Sequence, residues 1–111
     1  MVQEHTGTTQ ERWVEMAILC NMMVNAEICE VALAQLREDY FEDERNRVLF
    51  RAMKALGFLR QNKRFESLNG YLTQQGLLDA VGGKGYLTCV YLFVPVCDID
   101  SFIRLLILRA A

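Results

Sequence analysis

Residues 76–87 read GLLDAVGGKGYL, four glycines and one lysine in twelve positions. A run this rich in glycine raises the question of a phosphate-cradling loop. A P-loop needs Gly, four residues, then Gly-Lys-Ser/Thr, so that backbone N–H groups wrap the phosphates and the hydroxyl binds magnesium. Counting back from Lys84 puts Leu78 where the first glycine belongs, and Gly85 stands where the hydroxyl belongs. The dinucleotide pattern fails too, because Gly83 and Gly85 require a third glycine at the position of Thr88. The stretch therefore needs a structural explanation.

Outward from it in both directions the chain reads as helices. Phe65, Leu68 and Leu72 share a face upstream, and Gly76 is placed to stop that helix. Downstream, YLTCVYLFV (Tyr86–Val94) has strand propensity, but no second strand exists for it to pair with. It is read as a helix ending near Pro95, after which Asp98 caps a last helix. In that helix Leu105, Leu106, Ile107 and Leu108 advance about 100° per residue and cover the whole circumference. It is either the central helix of the core or partly an interface.

Towards the N-terminus, Leu49, Ala52, Met53 and Leu56 form an apolar stripe with Arg47, Arg51 and Lys54 off it, and Gly57 is the expected stop. The mixed charges of Glu42–Arg47 are read as a solvated helix start. Asn25 is the expected cap of a helix carrying Ile28, Val31, Ala32 and Leu36. Thr8 and Glu11 have capping-box spacing before a helix running to about Met23, with Trp13, Met16, Ala17, Cys20 and Met23 on one face. The expectation is an all-α fold: one small helical bundle of about six helices over 11–111, preceded by a flexible tail at 1–10.

Composition narrows the function. With 111 residues and 52% hydrophobic content the chain can bury a core of its own. A net charge of -2, with both signs interspersed, offers no basic stripe for nucleic acid. No signal peptide is visible, and the apolar run Val90 to Cys97 is less than half of the ~20 residues a spanning helix requires. The expected location is the cytosol, with no membrane contact. Cys20, Cys29, Cys89 and Cys97 are spaced by nine, sixty and eight positions, unlike the close pairs of zinc sites. Each lies among apolar neighbours and is read as a reduced core residue. The single histidine, His5, falls in the tail. No catalytic, cofactor or metal constellation is present, so the chain is expected to be no enzyme by itself.

Taken in order, the landmarks resemble the N-terminal domain of bacterial DnaB-type replicative DNA helicases. The residues that carry the resemblance are Glu15 and Leu19; then Asp39, Tyr40, Phe41 and Glu42; then Arg47, Leu49, Phe50, Ala52 and Leu56. They continue with Leu72, Gly76, Leu78, Val81, Gly82, Gly83, Tyr86 and Leu87, then Pro95, Asp98, Ile99 and Phe102. Gly-x-Leu-x-x-Val-Gly-Gly-x-x-Tyr-Leu, the opening stretch, agrees at every fixed position. Gly76 then ends one helix, Gly82 and Gly83 turn the chain, and Lys84 is a surface residue. Three positions depart from the pattern: Cys20 replaces a glycine, Asn46 a usual histidine, and Arg64 a common aspartate cap.

The resemblance implies a collar domain that precedes a helical hairpin and an ATPase motor, and the chain is read as that domain excised. It implies a homo-dimer for the fragment and a homo-hexamer for the parent. It also implies contacts with primase and helicase loader in the primosome, near the bacterial nucleoid. ATP and magnesium belong to the parent motor, and single-stranded DNA contact is weak or absent for this domain. Phe102, Ile103, Leu106 and Ile107 are the candidate self-association residues. The other reading is a freestanding helicase-binding regulator or a primase-type helicase-interaction domain.

Overall fold

A helix with apolar residues on every side belongs in the middle of a bundle, and in the computed structural model that helix is α1 (Thr8–Val24). Ala17, Ile18, Leu19, Cys20, Met22 and Met23 are all buried. Asn21 joins this run because its side-chain amide donates back to the Ala17 carbonyl at 2.8 Å. Residues 8–56, 64–93 and 99–110 are described. Around α1 pack α2 (Ala26–Gln35), α3 (Glu44–Leu56), α5 (Gly83–Tyr91) and α6 (Ile99–Ala110). α4 (Arg64–Gln74) packs on α3 and α5. A 3₁₀ turn at Glu38–Tyr40 bridges α3 and α6. Among the described residues there is no strand, so the fold is all-α.

Local chemistry sets the breaks. The Asn25 side chain accepts from the Glu27 and Ile28 N–H groups at 2.9 and 3.1 Å, the cap expected from the sequence. Asp43 Oδ1 does the same for α3, accepting from the Arg45 N–H at 2.9 Å. At the end of α4, Gly76 takes φ +69° while Leu77 N–H reaches back to the Leu72 carbonyl and Gly76 N–H to Thr73. These two bonds make a Schellman closure. The pattern repeats six residues later: Gly82 has φ +92°, and Gly83 N–H donates to the Leu78 carbonyl at 2.8 Å. GLLDAVGGKGYL is thus two left-handed stops flanking one tight turn, with Lys84 exposed.

Several expectations change. Trp13, placed on the inner face of α1, is 58% exposed: it lies one turn before the run 17–23 that the surrounding helices bury on every side. Val31 lies at the rim of α2 and Cys89 is exposed on α5, whereas Cys20 and Cys29 are buried as expected. The Glu42–Arg47 run is a helix start solvated only in part: Glu42 and Glu44 are exposed, but Asn46 is fully buried and Asp43 and Arg45 are half-buried. α6 does not need burial all round. Neighbouring leucines on a helix diverge by about 100°, so Ile99, Ile103 and Leu106 face α1 while Leu105 and Leu108 face outward.

α1 begins at Thr8, so residues 8–10 of the expected tail are helical. His5, the Gly57 stop, Pro95, Cys97 and the Asp98 cap lie outside the described residues, as do the side chains of Thr8, Glu11, Leu56 and Arg64.

Candidate functional site

The family-pattern residues converge on one buried polar joint. Glu15, on α1, is 1% exposed. A buried carboxylate is tolerable only when donors surround it, and four do. The Glu42 and Asp43 backbone N–H groups donate at 2.7 and 3.3 Å, the Asn46 side-chain amide at 2.8 Å, and Arg109 at 2.6 Å. Arg109 projects from the last turn of α6 and also donates to the Tyr40 carbonyl at 2.9 Å. Asn46 relays the network onward, its oxygen accepting from the Tyr86 hydroxyl at 2.6 Å. Where the resembled pattern usually has histidine, asparagine serves both neighbours by donating to one and accepting from the other.

Tyr86 is covered in turn. The Arg45 guanidinium lies 3.9 Å from its ring centroid and is itself held by Asp43 through contacts of 2.8 and 3.1 Å. A Cβ on Gly82 would come within 2.9 Å of both Arg45 Cδ and Tyr86 Cβ, so the glycine is required for space as well as for its φ. Burial, followed by the nearby Asp43 charge, pushes the Tyr86 phenol up to about 12. The hydrogen bond to Asp43 raises the Arg45 pKa further. Arg47 closes the rim, donating twice to the Phe41 carbonyl and once to Glu44.

Of the signature residues, Glu15, Phe41, Arg47, Gly82 and Tyr86 meet here. Phe41 stacks on Phe50 with ring centroids 5.1 Å apart, and Leu19 and Leu87 lie in the adjoining core. Gly76 and Gly83 shape the turn and stand apart from the joint. Each Glu15 oxygen is occupied by fixed donors, so the carboxylate has no role as an acid or base towards a substrate. The joint locks α1, α3, α5 and α6 together.

The outward surfaces are apolar in two places. Trp13 and Met16 of α1 with Thr88 and Cys89 of α5, then Leu92 and Phe93, line an open groove of about 620 Å³. Leu92 is 69% exposed. Beneath it the Cys20 thiol, its pKa raised by burial, donates to the Phe93 carbonyl at 2.9 Å and fastens the end of α5 to α1. On α6, Leu105 and Leu108 flank a smaller hollow of about 250 Å³ with Ser101 and Arg104. Of the sequence-derived self-association candidates, Ile103 and Leu106 are in the domain's own core, and Phe102 and Ile107 are half-buried against it. The exposed pair Leu105 and Leu108 was marked in the sequence by Arg104, which shares their stripe.

Among the described residues no group of three or more His, Cys, Asp or Glu side chains could hold a metal ion. No described helix is long and apolar enough to cross a membrane.

The DnaB-like helicase N terminal domain family matches residues 8–106. Comparison with curated proteins and with solved structures returned no match. The matched range takes in α1 and the glycine turn, and every member of the polar joint except Arg109. The chain belongs to the DnaB-like helicase N-terminal domain family.

Proposed function

We propose that this domain is a non-catalytic oligomerisation and partner-docking unit of a hexameric replicative DNA helicase, acting in primosome assembly in the bacterial cytoplasm. The family match over residues 8–106 carries the reading. The surface supports it: large apolar side chains gather in the α1/α5 groove and on the outer stripe of α6, as docking surfaces do. Primase and the helicase loader are its partners, and ATP with magnesium serves the motor of the parent protein. Single-stranded DNA contributes little here, since the net charge of -2 brings no phosphate-neutralising stripe.

The test is a calorimetric titration of this domain with the helicase-binding region of primase and with the loader, beside sedimentation equilibrium of the domain alone. Binding to either partner is expected, and Leu92→Asp or Trp13→Ala should weaken it about tenfold or more, as for an exposed aromatic or apolar anchor. No heat with either partner overturns the docking role. A strict monomer at high concentration overturns the assembly role.

A further inference from the structure

Leu92 is the most exposed large apolar side chain of the α1/α5 groove, at 69%, and the backbone on either side of it is tied to α1. The Cys20 thiol, 1% exposed, lies 2.9 Å from the Phe93 carbonyl oxygen and 3.5 Å from that of Tyr91, the residues immediately after and before Leu92. These carbonyls need a donor from elsewhere, because α5 ends without the usual devices. Its C-cap is Leu92 rather than a left-handed glycine, and its last turn carries no basic side chain. A glycine at position 20, as in the resembled pattern, has no donor to offer. The Tyr91 ring is held as well, stacked on Phe65 of α4 with centroids 4.4 Å apart.

We propose that Cys20 is the positioning residue of the groove: its thiol grips the chain on both sides of Leu92 and so presents Leu92 and Phe93 as a fixed wall to the docking partner. This rests on the docking part of the function proposed above. A wall held in place before binding loses little freedom on binding, whereas a loose one must be ordered by the partner at a cost in affinity. One hydrogen bond sets the scale of that cost, about three- to tenfold. The thiol acts here as a donor and not as a reactive group, since burial keeps it protonated and away from solvent.

Three variants test this. Cys20→Ala removes the donor, Cys20→Ser keeps one, and Cys29→Ala removes the same side-chain volume from a buried site on α2 outside the groove. Acrylamide quenching of Trp13, the only tryptophan of the chain and part of the groove lining, reads the free domain. It should rise in Cys20→Ala, by less than twofold because Trp13 is already 58% exposed, and match the wild type in Cys20→Ser and Cys29→Ala. In titrations with the helicase-binding region of primase, Cys20→Ala alone of the three should bind about three- to tenfold more weakly. Quenching unchanged in Cys20→Ala, or raised as much in Cys20→Ser or Cys29→Ala, overturns the grip on Leu92 whatever the partner does. Wild-type affinity in Cys20→Ala overturns the positioning role if Leu92→Asp weakens binding. If Leu92→Asp binds like the wild type, or the wild type does not bind, the docking reading itself has failed, and the quenching pattern still decides whether Cys20 holds the wall.

Discussion

Removing the Glu15 carboxylate tests the buried joint most directly, and two substitutions should separate by a predictable amount. In Glu15→Ala, Arg109 loses its carboxylate, and the Glu42 and Asp43 N–H groups and the Asn46 amide lose their acceptor. Breaking a buried ion pair costs about 3–5 kcal/mol, and Arg109, 18% exposed and still bonded to Tyr40, recovers part of its loss. The expected destabilisation is about 4 kcal/mol. Glu15→Gln is milder for a specific reason. Its new NH₂ group can take the Oε1 site, where the donors are the weakly held Asp43 N–H at 3.3 Å and the Asn46 amide.

Asn46 can then flip, offering its oxygen to the glutamine and its amide to the Tyr86 hydroxyl, which becomes the acceptor. What remains is the lost charge assistance to Arg109 and an Asp43 N–H left without its acceptor, together about 2 kcal/mol. In urea titrations with a slope of about 2 kcal/mol per M, the midpoints should fall by about 1 M for Glu15→Gln and about 2 M for Glu15→Ala, with the slope unchanged. A Glu15→Ala cost below about 1 kcal/mol would refute the joint as a structural lock. Equal costs for the two variants would refute the Asn46 flip.

Gly82→Ala should destabilise by about 2–4 kcal/mol, from left-handed strain and the crowding of Arg45 and Tyr86, whereas Gly76→Ala, whose Cβ meets nothing, should show only the strain of about 1–2 kcal/mol by the same titration. Asn25→Ala should cost about 1 kcal/mol, read as a drop of about 4 °C in melting temperature. Tyr86 gives a pH signature. Its folded pKa lies above the ordinary phenol value of 10.0, so its contribution to stability is full below pH 10 and is lost as pH rises towards about 12. The ultraviolet titration difference between the wild type and Tyr86→Phe should therefore have its midpoint near 12; a midpoint near the ordinary value would show that the ring is not enclosed.

Much of this architecture could be read in the chain because its breaks are local. A cap such as Asn25 acts on N–H groups two and three residues away, and the closures at Gly76 and Gly82 span six residues, so composition and spacing suffice to place them. The same locality explains why the glycine stretch carried both the helix boundaries and the family resemblance. Two residues show where that legibility ended. Asn46 looked like one polar residue in a mixed-charge run, yet it is fully buried between Glu15 and Tyr86, 31 and 40 positions away. Trp13 had the spacing of an inner-face residue, but it lies one turn before the stretch of α1 that its neighbours enclose, in the groove wall.

By itself the sequence determined the helical breaks at Asn25, Gly76 and Gly82, the all-α class and the identity of the family, since each depends on short-range hydrogen bonding or on an ordered set of residue types. Only the tertiary structure decided that Arg109 closes on Glu15 across 94 positions, and that Leu106 is core while Leu105 is surface. A buried charge is stable only beside donors that packing brings to it, and a helix apolar on all sides has no inner face until its neighbours choose one.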